Sequence, residues 1–532
     1  MSTQRIALSR RDFVKAFAGL AVLSATTSLT PPSFADDPAP GTPFSFDQLS
    51  HRMKALAAKP YAPATVKLSD YLQKLSYDAY QRIQPRNDRA LDLGGEGMGF
   101  KVEPFHMGWL FKDPVLIYDV RDDLAAEKTF TAADFDYHDA ATAAEMAKVD
   151  LPGVAGFRLD YPMNQPDKLD EVVAFLGASY FRALGRGNYY GLSARGAVLN
   201  SWLAEPEEFP RFSSFYMEHT TAGAPLTAYA TLEGESVTGA FKFVFDPGND
   251  KRQETLVDVT ARFCFRKDVT EFGVAPLTSM FLYADNNRSQ FDDFRPQVHD
   301  SNGLLMANAD GEMAWRALNN PPTVANSYFY QNNPKAFGLM QRDRSFEAYQ
   351  DGGARYDLRP SVLVEPLGNW GEGNIRLIEA PIKLEADDNI GAFWVPKTPF
   401  KAGDKAEFSY RLRWGNLDPD ANAPLAYVLD TRSGQGGVSG VENKQTLRKF
   451  VIDFKGGPLN DPNLDPAGID TVATISGGRV NFAAVSKLPE DGVMRLAIDA
   501  EIDTKDPVEL RAYLISGGKQ LTETWLYQWR AA

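Results

Sequence analysis

Acidic residues beside aromatic ones are the side chains of this sequence with the clearest capacity for chemistry. Residues 295–301 (Arg-Pro-Gln-Val-His-Asp-Ser) place Asp300 after a proline-bent segment. Residues 385–394 (Glu-Ala-Asp-Asp-Asn-Ile-Gly-Ala-Phe-Trp) place Asp387 and Asp388 just before an apolar, aromatic run. Carboxylates exchange protons, and aromatic rings stack on the faces of sugars. The pattern therefore favours a cleft that binds carbohydrate and does acid–base work on it.

The same acids also have an ordinary structural interpretation. The chain contains 70 Asp and Glu residues, and most such side chains cap loops or remain in solvent. Asp387 and Asp388 are adjacent, so on a strand their side chains would point to opposite faces. Residue types alone therefore do not select the catalytic acids.

Several other kinds of functional site are disfavoured because their sequence motifs are incomplete or missing. Residues 433–440 are rich in glycine but lack the Gly-Lys-Ser/Thr of a phosphate loop. Residues 461–472 begin like a calcium loop, yet Pro466 and Val472 stand where glycine and glutamate are needed. The five histidines lack metal-ligand spacing, and the single cysteine excludes an intramolecular disulfide. No Gly-x-Ser-x-Gly nucleophile elbow is present. We expect neither a metal nor an organic cofactor.

Period-two alternation dominates the sequence and predicts an all-β fold. Residues 241–245 and 257–265 alternate apolar with polar side chains on either side of an Asp-Pro-Gly-Asn turn, which predicts a hairpin. Residues 408–414, 494–502 and 525–529 show the same alternation. Helical spacing is confined to two short segments near the start, at 46–56, with Ser45 as N-cap, and at 68–75. Such strands, separated by Gly/Pro turns, favour sheets packed on sheets.

The first 35 residues have the pattern of an export signal. Residues 9–15 (Ser-Arg-Arg-Asp-Phe-Val-Lys) carry a twin arginine, 16–29 are modestly apolar, and 33–35 (Ser-Phe-Ala) offer a cleavage site. The apolar stretch is shorter than a membrane-spanning helix. We therefore expect a mature protein in the bacterial periplasm that is not an integral membrane protein. The formal charge of −14 disfavours a nucleic-acid partner.

A domain boundary is expected near residues 396–404, where two prolines precede a new strand pattern. This gives a large β-sandwich at 43–395 and a smaller domain at 400–532, after the signal at 1–35. The smaller segment has the size of one sandwich domain.

Several long, uncommon strings identify a resemblance that spans nearly the whole mature chain. They lie at residues 175–183, 190–196, 333–339, 359–361, 364–366 and 523–528. In order and content they resemble the periplasmic glucans biosynthesis proteins G and D, the osmoregulated periplasmic glucan family. The twin-arginine signal is more typical of D than of G, but as a single feature it leaves the choice between them open.

The resemblance implies a fold and a function. The family fold is a large N-terminal β-sandwich resembling galactose mutarotase domains, joined to a C-terminal immunoglobulin-like β-sandwich. The family acts in making periplasmic glucans with a β-1,2-linked glucose backbone, and some members are similar to inverting endo-β-1,2-glucanases. The expected partners are the glucan itself and, as a candidate, the inner-membrane machinery that synthesises it.

In the glucanase-like members the general acid lies in an Asp-Asn-Ile segment followed by Phe-Trp, which here is Asp388. The base lies in a His-Asp-Ser segment and acts through waters, which here is Asp300. Inversion requires room for a water between base and anomeric carbon, so the carboxylates are about 6.5–9.5 Å apart, or further with a relay. Tyr349, Tyr356 and Trp370 are candidates for stacking on glucose, against plain packing.

Three functions remain open from the sequence. The first is a hydrolase or transglycosylase that sets the length of the glucan. The second is a glucan-binding or scaffold protein that assists release of the nascent chain. It is favoured by the glycine-rich loop expected at residues 431–440, which would cover a cleft poorly. The third is a sugar epimerase, suggested only by fold analogy.

Overall fold

The computed structural model describes residues 41–530 except 64, 65, 67, 96–98, 439, 443, 445, 490 and 491. The expected export signal lies outside the described residues. Strands make up 47% of the chain and helices 10%, which confirms the all-β class. Among the described residues, no helix combines the length and the apolar character that a membrane crossing requires.

The chain divides into two compact units. The first comprises the described residues up to Leu277 together with Val364–Asn374 and Phe393–Gly415. The second comprises Thr278–Leu363, Ile375–Ala392 and the described residues from Asn416 onward. The boundary near residue 400 between two sandwich domains stays a prediction.

The helices are short. The α-helices are Phe46–Ala57, Asp70–Gln73, Tyr77–Tyr80, Ala140–Met146 and Phe346–Tyr349, and the 3-10 helices are Asn87–Arg89, Ala132–Asp134, Arg288–Gln290, Tyr356–Leu358, Gly457–Asn460 and Pro466–Gly468. The predicted N-cap is confirmed, because the Ser45 hydroxyl accepts a hydrogen bond from the Gln48 amide at 3.2 Å. This satisfies one of the amides that a helix start leaves unpaired.

Two sheets form the first unit. In spatial order, one contains Thr42–Pro43, Leu124–Glu127, Leu116–Arg121, Arg211–Glu218, Leu226–Glu233, Val237–Asp246, Thr255–Phe265 and Lys405–Gly415. The other contains Phe272–Ser279, Ser193–Arg195, Tyr180–Ala183, Lys168–Leu176, Gly156–Gln165, Lys101–Phe105 and Leu91–Asp92, with Val198–Leu199 paired to Phe272–Ser279. Gln84–Pro85 and Phe135–Asp136 pair separately.

The predicted hairpin is confirmed residue by residue. Val237–Asp246 runs antiparallel to Thr255–Phe265, with Phe241 opposite Ala261. The other edge of Thr255–Phe265 pairs with Lys405–Gly415, which is the strand predicted from the alternation at 408–414.

A cluster of phenylalanine rings joins the two sheets of the first unit. Phe175 is central, with ring centroids 4.9–6.2 Å from Phe157, Phe181, Phe212, Phe215, Phe243 and Phe245. Phe157 and Phe181 lie on the same sheet as Phe175 and the other four lie on the facing sheet. The unit is therefore a sandwich whose faces are held together by aromatic packing.

We expect Phe175→Ala to lower the free energy of unfolding by about 3–5 kcal/mol, because it leaves a cavity that six rings cannot fill. Urea denaturation followed by fluorescence measures the change. Phe482→Ala is the matched control, since that ring is 55% exposed, and we expect it to change stability by less than about 0.5 kcal/mol. Equal effects of the two substitutions would contradict the assigned core.

The second unit also contains two main sheets. In spatial order, one contains Ala336–Met340, Gly303–Ala307, Met313–Ala317, Thr524–Trp529, Val508–Ser516 and Asp470–Ile475, with Lys519–Gln520 paired to Val508–Ser516. The other contains Tyr427–Gln435, Leu447–Lys455, Val493–Glu501 and Arg479–Lys487. Phe281–Tyr283 pairs with Val298–His299. Ala325–Asn332 also belongs to this unit. The strands Ser361–Leu367, Glu372–Glu379 and Ile390–Pro396 each have residues in both units.

Aromatic side chains also join these two sheets. Phe450 lies 6.3 Å from Trp525 and 5.8 Å from Tyr527, measured between ring centroids, and all three are buried. The strand Tyr427–Gln435 corrects one expectation, because residues 431–435 were predicted to be part of a loop. They pair with Leu447–Lys455, and Ser433 lies opposite Phe450.

Candidate functional site

Asp300 and Asp388 lie on either side of one short backbone segment, residues 279–281, in the second unit. The Asp300 amide donates to the Met280 carbonyl at 2.8 Å. The Asn389 amide, one residue after Asp388, donates to the Ser279 carbonyl at 3.1 Å. Carbonyls of consecutive residues in an extended chain point to opposite edges. The backbones at 300 and 389 are therefore two strand spacings apart, or about 10 Å.

The Asn389 side chain fixes one of these edges. Its Oδ1 accepts from the Phe281 amide at 2.8 Å, and its Nδ2 donates to the carbonyls of Phe281 and Ala380 at 3.0 and 2.9 Å. Asn389 is buried, whereas Asp388 is half-buried in the loop that leads into Ile390–Pro396. The carboxylate of Asp388 is therefore open to solvent, while the next residue, Asn389, is held in place by its side-chain hydrogen bonds.

Asp300 is almost enclosed, being 4% exposed. Its Oδ1 forms an ion pair with Arg359, whose guanidinium lies 4.2 Å from the centroid of the Tyr356 ring. A buried carboxylate without a cation would be costly, so Arg359 is a condition for burying this acid. The ring beneath Arg359 adds a cation–π contact.

Tyr356 links the surroundings of the two aspartates. Its hydroxyl donates to Oε2 of Glu385 at 3.2 Å, three residues before Asp388, while its ring supports Arg359 beside Asp300. Burial raises the pKa of Tyr356 well above its ordinary value, so the hydroxyl remains a donor.

The three aromatic candidates have their faces largely covered. Tyr349 and Tyr356 are 0% and 2% exposed, and the Tyr349 ring packs 5.3 Å from His299, the neighbour of Asp300. Trp370 belongs to the first unit, where it is 7% exposed and donates from Nε1 to the Ser409 carbonyl at 3.2 Å. Tyr349 and Tyr356 therefore pack against the residues that surround Asp300. Glucose stacking stays a prediction for all three aromatic residues.

Arg295, which the sequence did not identify as a candidate, connects three loops through ion pairs. Arg295 pairs with Asp293, Asp351 and Glu385, each at 2.7 Å. Hydrogen bonds from Arg295 lower the pKa of Asp293 to about 2, and the same contacts raise the pKa of Arg295. Glu385 belongs to the acid-rich string at 385–394, but nothing in the sequence indicates that it shares a cation with Asp351.

A hydrogen-bond chain leads from the neighbour of Asp300 to a second acid. His299 Nε2 contacts Gln297 Oε1 at 2.7 Å, and Gln297 Nε2 donates to Asp343 at 2.9 Å. Burial lowers the pKa of His299 to about 3, so its ring is neutral near pH 7. Burial also raises the pKa of Asp343.

Asp430 is a further acid that sequence reasoning missed. Burial raises its pKa to about 7, while Arg432 opposes the shift and the charges of Asp343 and Asp285 add to it. A carboxylic acid that is half protonated at neutral pH has the proton affinity of a general acid or base. Only its environment gives Asp430 this property, so no motif could have identified it.

We expect Arg359→Leu to lower the free energy of unfolding by about 3–5 kcal/mol at pH 7, because it leaves Asp300 buried without a cation. Adding Asp300→Asn should restore part of the loss, since a neutral amide needs no counter-charge. Urea denaturation of both variants measures this. Arg121→Leu is the control, because Arg121 pairs with Asp119 while 64% exposed. A double variant no more stable than Arg359→Leu would contradict the account.

We expect Asp430→Asn to flatten the pH dependence of stability. A pKa raised from 3.8 to about 7 means that the folded state holds the proton more tightly than the unfolded chain. Stability from this group is therefore complete below pH 4 and is lost as the pH rises to about 7. The variant should exceed the wild type by about 2–4 kcal/mol at pH 8 and match it near pH 4.

Urea denaturation at pH 4 and pH 8 tests this, with the exposed Asp503→Asn as control. An equal loss of stability between the two pH values in wild type and Asp430→Asn would show that Asp430 titrates normally.

Comparison with known proteins places this chain in a family. Residues 44–529 match the family model described as "Periplasmic glucan biosynthesis protein, MdoG". The chain is 50% identical over 490 residues to glucans biosynthesis protein G of Cereibacter sphaeroides, covering 92% of this chain and 89% of that protein.

Relatives of both named types are similar to it. Glucans biosynthesis protein G of Rhodopseudomonas palustris is 40% identical over 526 residues, covering 98% of this chain and all of that protein. The probable glucans biosynthesis protein D of Shewanella oneidensis is 40% identical over 491 residues, covering 91% and 88%. The match over nearly the whole folded chain shows that this protein belongs to the periplasmic glucan biosynthesis family.

Proposed function

We propose that this protein controls the β-1,2-linked glucose backbone of periplasmic glucans by acting as an inverting endo-β-1,2-glucanase. The observation that carries the proposal is the placement of Asp300 and Asn389 on opposite edges of residues 279–281, with backbones about 10 Å apart. A backbone separation of this size is compatible with the distance between the two carboxylates of an inverting glycosidase, about 6.5–9.5 Å or more with a water relay.

In the proposed reaction, a water oxygen attacks the anomeric carbon while the glycosidic C–O bond breaks. Asp388 gives its proton to the departing oxygen, and the proton of the attacking water passes to Asp300. Because Asp300 is 4% exposed and held by Arg359, intervening waters carry that proton. Arg359 orients the carboxylate and supplies its counter-charge. Solvent then returns both aspartates to their starting states.

The cellular location belongs to the same proposal. The family description supports a periplasmic role, and residues 9–15 carry the twin-arginine pattern of an export signal. We infer that residues 1–35 direct export and that the folded part acts on glucan in the periplasm.

A second candidate is a non-catalytic glucan-binding protein that assists release of the nascent chain. The enclosure of Asp300 by its ion pair with Arg359 favours this function, because a base that solvent hardly reaches accepts protons slowly.

We expect Asp388→Asn to lower the cleavage of linear β-1,2-glucan by about 10²–10⁴-fold, the contribution of a positioned general acid. The assay follows new reducing ends between about pH 4 and pH 8, the range in which carboxylic acids with raised pKa values act. The matched control is Asp387→Asn, the adjacent half-buried acid, which should retain activity within about threefold of wild type because the proposed reaction takes no proton from it.

No shortening of the glucan by the wild type at any of these pH values would refute the hydrolase. The binding function would then be favoured if cells carrying Asp388→Asn still produced normal amounts of periplasmic glucan.

A further inference from the structure

Three apolar side chains are exposed in the second unit, one on each of the segments that the ion pairs of Arg295 connect. They are Phe294, which is 78% exposed, together with Leu384 and Phe346. We call these three residues the apolar rim. A single exposed apolar side chain is ordinary, but three of them on segments that meet at one arginine form a group, and grouped apolar exposure marks a binding surface.

Two of the rim residues stand at opposite ends of one ion pair. Phe294 lies between Asp293 and Arg295 in the chain, and Leu384 directly precedes Glu385. The Arg295 guanidinium contacts both acids at 2.7 Å. The segments that carry Phe294 and Leu384 are therefore held together at the point where each leaves an apolar side chain in solvent.

Phe346 belongs to the third segment. It begins the helix Phe346–Tyr349, and Asp351 follows shortly after that helix. Asp351 accepts a hydrogen bond from Arg295 at 2.7 Å. The same arginine thus fixes the third segment as well.

The backbone at Phe294 is fixed although its ring is exposed. Asp293 Oδ1 accepts from the Arg295 amide at 2.9 Å and from Arg295 Nε at 3.1 Å. The Tyr283 hydroxyl donates to the Arg295 carbonyl at 3.3 Å, and Pro296 restricts the next backbone angle. A ligand that contacts the ring therefore meets a preorganised surface, which lowers the entropic cost of binding.

The rim is continuous with the segments that carry the proposed catalytic aspartates. Phe294 stands just before the string that contains Asp300. The Asp387 amide donates to the Leu384 carbonyl at 3.4 Å. A turn closed in this way brings its first and last Cα atoms within about 7 Å, and Asp388 is the next residue. A glucan bound at Asp388 therefore lies near the rim.

The charges beside the rim select a neutral ligand. Arg295 supplies one positive charge against the three negative charges of Asp293, Asp351 and Glu385. This excess of negative charge disfavours phosphate, carboxylate and other anions. Carboxylate oxygens accept hydrogen bonds from hydroxyl groups, and apolar side chains pack on the C–H faces of a sugar. A neutral carbohydrate matches both kinds of surface.

Glu385 has an oxygen left for a sugar hydroxyl. The side chain is exposed, and the hydrogen bonds that it accepts from Arg295 and Tyr356 both end on Oε2. These two bonds fix the orientation of the carboxylate. Within the described part of the chain no donor contacts Oε1, so this oxygen can accept from a ligand.

We propose that the apolar rim is a sugar-binding subsite in which the ring of Phe294 packs on one glucose unit of the glucan, at a distance from the bond that is cleaved. The identity of the sugar rests on the proposed function, but binding here does not require hydrolysis. A contact away from the reacting bond is equally strong in the substrate and in the transition state, so Phe294 sets affinity rather than the rate of the chemical step.

The test is isothermal titration of the full chain carrying Asp388→Asn, which removes turnover, with a linear β-1,2-linked glucose oligomer. We expect Phe294→Ala to weaken binding by about threefold to tenfold, the contribution of one ring contact. Phe294→Tyr keeps the ring and should bind within about twofold of the parent. The matched control is Phe482→Ala, an exposed ring of the same unit, which should leave the affinity unchanged.

Oligomer affinity unchanged by Phe294→Ala would overturn the proposal. A Phe294→Tyr protein that binds as weakly as Phe294→Ala would overturn it too, because the aromatic surface would then not be what the ligand contacts. A dimer in sedimentation that Phe294→Ala dissociates, with unchanged oligomer affinity, would assign the rim to a second copy of the chain instead.

The two proposals fail separately. A wild-type protein that does not shorten glucan but loses oligomer affinity on Phe294→Ala contradicts the hydrolase and supports the subsite. If the wild type cleaves glucan, Phe294→Ala should raise KM by the same factor as it weakens binding and keep kcat within about twofold. An unchanged KM would contradict the subsite and leave the hydrolase in place.

Discussion

Hydrogen bonding of residues 279–281 on both edges is the constraint on which the candidate site depends. One edge receives the Asp300 amide and the other receives Asn389, whose side chain makes three further backbone bonds. Backbone pairing of this kind is obligatory for buried segments, so the separation of the two aspartates follows from satisfying main-chain groups rather than from attraction between side chains. The backbone at Asp388 is positioned by the hydrogen bonds of the adjacent Asn389.

The acidic side chains near this segment are partly or fully buried, so they need cations nearby, and arginines supply them. Arg359 pairs with Asp300, and Arg295 connects three carboxylates from separate loops. Both guanidiniums offer several donors in one plane, which lets one residue hold more than one partner. The same principle explains Asp430. Arg432 shares its charge with Asp285 and Asp453 as well, so burial outweighs the effect of this arginine and the pKa of Asp430 rises to about 7. The polar network thus sets both geometry and protonation.

The regular elements could be predicted from local patterns, but the site could not. The alternation at 257–265 and the Ser45 cap each depend on neighbours along the chain, and both predictions are confirmed. Residues 431–435 were expected in a loop because they begin the glycine-rich segment 431–440, yet pairing with the strand Leu447–Lys455 overrides that preference. Asp300 and Asp388 were selected through a family resemblance, since their surroundings come from residues far apart in sequence. Arg359 is 59 positions from Asp300, and Arg295 is 90 positions from Glu385.

The central claim is that the two aspartates serve one glycosidic bond from opposite edges of residues 279–281. A crystal structure of the Asp388→Asn protein with a bound linear β-1,2-linked glucan tests it most directly. The account predicts a glycosidic oxygen within hydrogen-bond distance of the side chain at 388. It also predicts a hydrogen-bonded chain of ordered waters from the anomeric carbon to the Asp300 carboxylate. A glucan bound away from residue 388, or an Asp300 carboxylate that no water connects to the sugar, would contradict it.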